Sequence, residues 1–296
     1  MIDRVVRVQE FPRAGETIVA LSSAVHAGGK GANQAAAAAK CGARVRMLGR
    51  TGADGAFIVE ALREAGVEAS SIATDDELSG SATVMVAANG ENAIVIAPEA
   101  NTRLRPRDIE QFLDQATAGD IVLFQNECAL LHEGIAMANA GGLAVWLNAA
   151  PANETLSALA YESLAGLVVN ETEAEALTQE ADPARALSLL AAKMPKGTVI
   201  VTLGASGAIA AFGSERLEHR GFVVDAVDTV GCGDAFVGAY LAALIAGDGV
   251  QQALERGNAA GALTTLRYGA IPSLPSRAEI ERSAAFPAGS RLEAFA

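Results

Sequence analysis

Short runs of aliphatic and β-branched residues recur along the chain at intervals that leave room for a helix between neighbours. Ile121-Val122-Leu123-Phe124, Ala144-Val145-Trp146-Leu147, Gly166-Leu167-Val168-Val169 and Thr198-Val199-Ile200-Val201 are such runs, and Val45-Arg46-Met47-Leu48 is an earlier one. The spacing predicts helices over about 53–65, about 130–140 and 235–246. Strands joined by helical crossovers lie parallel, and a parallel sheet must be covered on both faces. The pattern therefore predicts an α/β fold: a doubly wound, mostly parallel sheet with helices on both faces. Two pairs of runs fall outside the alternation. Val5–Val8 and Thr17–Leu21 are separated by a Pro12/Gly15 turn, and Ala82–Ala87 and Ala93–Ile96 flank Asn89-Gly90, a hairpin signal. These strands, from about 4–24 and 81–97, are expected to form a small β-sheet lid able to close over a substrate. With 296 residues and neither a repeat nor a linker, residues 1–296 are predicted to be one domain.

Ligands of open parallel sheets bind beyond the carboxyl ends of the strands. Polar clusters stand there: Gln125-Asn126-Glu127, then Asn148, then Asn170-Glu171-Thr172-Glu173, then Thr202-Leu203-Gly204. Further on, Asp228-Thr229-Val230-Gly231-Cys232-Gly233-Asp234-Ala235-Phe236 places a carboxylate behind two glycines at the start of an apolar helix. A helix N-terminus offers free N–H groups and the positive end of its dipole. Backbone amides there could hold a phosphoryl group while Asp234 takes a proton from an attacking hydroxyl. The plain alternative is that Asp234 only caps the helix. A dinucleotide fingerprint is disfavoured because Phe236 stands where the third small residue belongs, and Gly28-Gly29-Lys30-Gly31 lacks the hydroxyl residue of a P-loop.

A net charge of −13 argues against a nucleic-acid partner. No run reaches the ~18 apolar residues of a membrane span, and the charged start Met1-Ile2-Asp3-Arg4 lacks a signal-peptide core, so a cytoplasmic location is expected. Cys41, Cys128 and Cys232 have no metal-ligand spacing and read as free thiols. His26, His132 and His219 form no cluster in the sequence.

These residues, taken in order, resemble the ribokinase family of sugar kinases. Phe11-Pro12 and Gly15-Glu16-Thr17 precede Gly28-Gly29-Lys30-Gly31-Ala32-Asn33-Gln34-Ala35, which matches the first family signature, and the strand-end clusters and the Asp228–Asp234 run follow collinearly. The resemblance implies an ATP-dependent kinase making a sugar 5-phosphate, with ribose as acceptor; 2-deoxyribose, a ketose or a nucleoside, or an impaired sugar- or nucleotide-binding protein, are the alternatives. It implies that Asp3, Gly29, Lys30, Asn33 and Glu127 contact the sugar and that Asp234 is the base. Gly231, Cys232 and Gly233 would form the anion hole. Asn170 and Glu173 would govern the magnesium-nucleotide, and Thr202, Gly204, Gly207 and Asn258 would contact ATP. Asp228, Val230, Thr264, Arg267, Gly269 and Ser273 fall where relatives bind an activating monovalent cation, potassium. A homodimer through the lid strands is also implied.

Simpler roles stay open for several of these. Glu127 could be a solvated loop acid, Lys30 a solvated cation, Glu173 a first-turn helix acid and Asp228 a turn residue. Three positions depart from the family pattern. The family has a strand before Asp3 that ends in a sugar-contacting Asn, and Met1 stands at that Asn; a start placed downstream of the natural one and weak sugar binding are the expectation. Cys232 replaces a small residue; it is either inert or a thiol whose pKa the helix lowers and whose alkylation blocks phosphate binding. Glu99 stands where glycine is usual.

Overall fold

The computed structural model describes residues 1–89, 91–284 and 286–292. In chain order the elements begin with β1 (Ile2–Val8), β2 (Ser22–Ala27), α1 (Lys30–Lys40), β3 (Gly49–Gly52), α2 (Ala56–Glu64) and β4 (Ile72–Asp75). Then come β5 (Ser81–Ala87), β6 (Asn92–Ala97), α3 (Pro106–Leu113), β7 (Ile121–Gln125), α4 (Leu131–Ala140) and β8 (Ala144–Asn148). The second half holds β9 (Gly166–Asn170), α5 (Glu171–Thr178), α6 (Pro183–Lys193), β10 (Thr198–Thr202), β11 (Ala208–Phe212) and β12 (Glu215–His219). It closes with α7 (Cys232–Ile245), α8 (Val250–Thr264) and α9 (Arg277–Ala284).

The main sheet has the order β12-β11-β10-β9-β8-β7. Strands β7 to β10 run parallel, and β11 and β12 add antiparallel at one edge. Each predicted run from Ile121 onward lies in one of these parallel strands, and each strand extends one residue further onto a polar side chain. Register pairs Gln125 with Asn148 and Asn170 with Thr202, so the polar residues share the carboxyl edge of the sheet. Helices α4 and α6 cover one face, around Leu147, Leu167, Val199, Ile135 and Leu190. The other face, carrying Trp146, Val168 and Ile200, packs on Phe236, Tyr240 and Leu254 of α7 and α8. Helix α7 is buried from Ala235 through Ala243, as expected of a helix apolar on all sides. It touches α1 closely: a methyl group at Gly238 would stand 2.5 Å from the Ala37 Cβ and 2.7 Å from the Gln34 carbonyl.

Two expectations about strands fail. Val45–Leu48 contributes only an isolated bridge between Arg46 and Glu68; the strand is β3, four residues on, paired with β4 in a separate two-stranded parallel sheet. The Arg46 side chain turns instead to α3, donating to Gln115 and lying over the Phe112 ring. Thr17–Leu21 is not a strand either. The register of β1, Ile2 opposite Ala27, selects 22–27 as its antiparallel partner. Val19 and Leu21, 91% and 63% exposed, have no core to face. The two predicted pairs join into one four-stranded sheet, β2-β1-β5-β6, because β1 and β5 run parallel. Gly90 of the predicted turn lies outside the described residues. Glu99, at φ 43, occupies the left-handed region that favours glycine, which places a strained residue two positions after β6.

Candidate active site

Helix α7 starts at Cys232 with Gly231, at φ 79, as its N-cap. That left-handed turn suits glycine and aims the start of the helix at the carboxyl edge of the sheet. Amides in a first helical turn have no acceptor four residues back within the helix; the Cys232 amide turns to the Thr229 carbonyl at 3.3 Å. Asp234 is the acid of this first turn. Both of its oxygens are held from α1: Asn33 Nδ2 donates to Oδ2 at 2.9 Å and Gln34 Nε2 donates to Oδ1 at 2.8 Å. Burial pushes the carboxyl up to about 6, against the pull of those two donors and of Lys30. A cap alone would not need that environment. The value is that of a base ionised at neutral pH yet able to take a proton.

The predicted sugar contacts gather around this acid. Lys30 Nζ and Glu127 Oε1 form an ion pair of 2.5 Å across the cleft, joining α1 to the loop after β7. Asp3 lies within the field of Glu127, with the Gly29 amide facing its carboxyl; burial raises its pKa above the usual carboxylate range. Met1 sits beside them, its ammonium donating to the Gly28 carbonyl at 2.8 Å. Asn33 is 4% exposed, and its Oδ1 has no partner among the described residues. An unmatched buried acceptor beside the carboxylate is able to take a hydrogen bond from a ligand.

On the other side of the cleft, Asn170 and Glu173 cap α5 reciprocally: Asn170 Oδ1 accepts from the Glu173 amide and Glu173 Oε2 accepts from the Asn170 amide. Burial raises the Glu173 carboxyl, while the Asn170 amide and, less strongly, Lys30 pull it down. Thr202 ends β10, its hydroxyl donating to Val169. Gly204 and Gly207 bound the turn that follows. Gly207 packs on the His219 carbonyl, since a Cβ there would lie 2.1 Å from it. Asn258 is buried, with Nδ2 3.0 Å from His219 Nδ1 and 3.3 Å from the His219 carbonyl. Burial lowers the His219 pKa, so its neutral ring can accept that bond. Gly207, His219 and Asn258 are one cluster, and His219 is a member that the sequence spacing did not reveal.

The six residues expected around a cation fall on the 228–230 loop, the last residue of α8 and the 267–273 stretch that follows it, but several side chains are occupied. Asp228 accepts from the Val230 amide at 3.1 Å and the Gly269 amide at 2.9 Å, clamping the loops together. The Thr264 and Ser273 hydroxyls donate to the Ala260 and Ala270 carbonyls, and Arg267 pairs with Glu279. Asn148 accepts from the Ala150 amide at 3.0 Å, within its own loop. At Cys232 desolvation is the dominant influence and raises the thiol pKa, against the pull of the Gly233 amide, which favours the inert alternative. Gln34 and Gln125 stood inside quoted motifs without a role, and the structure puts both in line with Asp234.

A base set beside amides able to hold an anion, at the carboxyl edge of a parallel sheet and near a β lid, is the equipment of a phosphotransferase acting on an alcohol. Residues 1–277 match the model of the pfkB family of carbohydrate kinases, and the chain belongs to that family. It is 36% identical over 286 residues to a ribokinase of Haemophilus influenzae, covering 94% of this chain and 93% of that protein. A deoxyribokinase of Salmonella typhi is 32% identical over 289 residues, covering 93% of each. Among solved structures, an Arabidopsis thaliana ribokinase complexed with ribose and ATP superposes with a TM-score of 0.84 at 31% identity, covering 96% of both chains. The fold is therefore ribokinase-like.

Proposed function

We propose that this protein transfers the γ-phosphoryl group of ATP to the terminal hydroxymethyl group of a pentose, D-ribose giving D-ribose 5-phosphate. The observation that carries the proposal is Asp234, clamped on two amide donors one residue behind Gly231-Cys232-Gly233. The related ribokinases and the ribose- and ATP-bound relative support the acceptor. The deoxyribokinase relative keeps 2-deoxyribose as the second reading.

In this mechanism Asp3, Gly29, Lys30, Asn33 and Glu127 hold the sugar with its hydroxyl against Asp234, which accepts the proton as the oxygen attacks. The amides of Gly231, Cys232 and Gly233 steady the transferring phosphoryl. Such donors are typically worth ~3 kcal/mol each and a positioned base ~10²–10⁴-fold. Thr202, Gly204, Gly207 and Asn258 would seat the nucleotide, with Asn170 and Glu173 oriented toward its phosphates. Mg²⁺ bound to ATP would supply charge neutralisation. For potassium, these segments would offer the Asp228 carboxylate and backbone carbonyls of Val230, Thr264, Arg267, Gly269 and Ser273. This is an all-oxygen donor set that fits a hard cation. The outer lid strands expose Val25, Ile94, Val95 and Ile96, which supports a homodimer through them. Among the described residues no helix is long and apolar enough to cross a membrane; a cytoplasmic location belongs to the same reading.

A coupled ADP-release assay over ribose, 2-deoxyribose, hexoses and nucleosides, with and without potassium, tests this. The expected result is turnover fastest with ribose and raised by potassium. ADP release unaffected by any sugar would refute it.

A further inference from the structure

Four side chains form a head-to-tail line that ends on Asp234. The Cys128 thiol donates to Gln125 Oε1 at 3.5 Å, Gln125 Nε2 donates to Gln34 Oε1 at 2.8 Å, and Gln34 Nε2 donates to Asp234 Oδ1 at 2.8 Å. Every donor points toward the carboxylate. Gln34 is 0% exposed and Gln125 7%, so water does not compete for these bonds. A carboxamide can turn over, presenting oxygen where nitrogen stood. Here a turned Gln34 would set its oxygen against the carboxylate and its NH₂ against the NH₂ of Gln125. The second glutamine therefore fixes which end of the first meets the acid.

Resting on the proposed role of Asp234 as base, we propose that Gln34 and Gln125 are positioning residues. Gln125 orients the Gln34 amide, and Gln34 holds Asp234 as an ionised acceptor, turned so that its other oxygen and the free Asn33 Oδ1 meet the substrate. Neither glutamine touches the reacting atoms. Aligned hydrogen bonds polarise one another, so the line favours the carboxylate over the acid. The charged groups that act on Asp234 are Lys30, which also favours the carboxylate, and Glu127, which opposes it. Glu127 is itself paired with Lys30. Gln125 lies at the end of β7 and Gln34 in α1, 91 residues apart. The orientation of the base is thereby tied to the sheet edge as well as to its own helix.

The test is a double-mutant cycle of Gln34→Met, Gln125→Met and the pair, each checked for folding by circular dichroism and thermal melting. The readouts are the pH profile of kcat with whichever sugar the wild type phosphorylates, and the ¹³C titration of the Asp234 carboxyl, assigned by its loss in Asp234→Asn. Losing a charge-assisted donor should raise the acid-limb pKa by about one unit in Gln34→Met, cutting kcat about 2-fold at pH 7 and about 10-fold at pH 5. Gln125→Met should give roughly half that shift, with KM for sugar and ATP within about 2-fold of wild type. The pair should behave as Gln34→Met alone, because Gln125 acts only through Gln34. Additive effects, or a folded Gln34→Met with an unmoved carboxyl titration, overturn the proposal. Should Gln125→Met not fold, Cys128→Ala and Cys128→Ser replace it: the serine, a hydroxyl donor, should preserve the titration, and equal loss in both overturns the line at its head. An inactive wild type would count against the kinase reading, and the carboxyl titration would still decide the relay.

Discussion

Replacing Asp234 by Asn should stabilise this protein while abolishing its turnover. The carboxyl has an ordinary value of 3.8 and is pushed up to about 6, burial being the first cause. A shift of about two units corresponds to about 3 kcal/mol by which the ionised side chain weakens the fold at neutral pH. Below the unfolded value the group is protonated in both states and costs nothing. As pH rises from there toward 6 the unfolded chain ionises first and stability falls, and above 6 the loss is complete. Asn carries no charge to desolvate. It can also keep both bonds: Gln34 still donates to its oxygen, and Asn33, whose Oδ1 has no other partner, can turn to accept from its nitrogen. Water in the open cleft already screens part of the penalty, so the net gain should be about 1–2 kcal/mol, a rise of about 2–6 °C in Tm. Thermal and urea unfolding of both proteins at pH 7.5, 5 and 4 would measure it. The gain should fall to roughly half at pH 5 and roughly a fifth at pH 4, while kcat at pH 7.5 drops ~10²–10⁴-fold. A lower Tm, or a gain independent of pH, would refute the account of Asp234 as a half-buried, costly carboxylate.

Two further outcomes follow from buried groups. The Tyr240 hydroxyl is buried without a partner among the described residues, between Trp146 at 5.4 Å and Phe236 at 6.1 Å. Tyr240→Phe should thus unfold at equal or higher urea, with a gain of up to about 1 kcal/mol; a loss larger than that would reveal a bond to the hydroxyl. The Cys232 thiol, raised by burial, should react with N-ethylmaleimide at pH 7.5 more than ~10-fold more slowly than in the unfolded chain. Peptide mapping by mass spectrometry that finds residue 232 labelled first and fast would contradict it.

Much of this architecture was legible because its signals are local. Strands β7 to β10 announce themselves by β-branched runs, and each polar strand end, Gln125, Asn148, Asn170 and Thr202, sits where a run stops. Asn170 and Glu173 carry the spacing of a capping box, which is what they form. The failures are tertiary. Val19 and Leu21 look like half of a strand, but pairing with β1 is decided by register, and 22–27 wins. A thiol at a helix start is expected to be acidic, yet at the half-buried Cys232 desolvation outweighs the amides and raises the pKa. The Gln125–Gln34–Asp234 line joins residues from β7, α1 and α7, and no spacing rule connects them. Asp228 accepts from the amides of Val230 and Gly269, 41 residues apart from it in the second case, and no spacing rule gives that contact.

The close approach of α1 and α7 at Gly238 bears on how such an enzyme can move. The helix that carries the acid and the helix that carries its amide holders meet without room for one more carbon, one turn beyond the reacting groups. Sliding or tilting there would drive Ala37 and the Gln34 backbone into α7, so the pair behaves as a single rigid block. Any opening or closing would then fall to the four-stranded sheet and its connecting loops. Changes of acceptor preference would be accommodated by remodelling those outer parts, with the proton-accepting centre left in place.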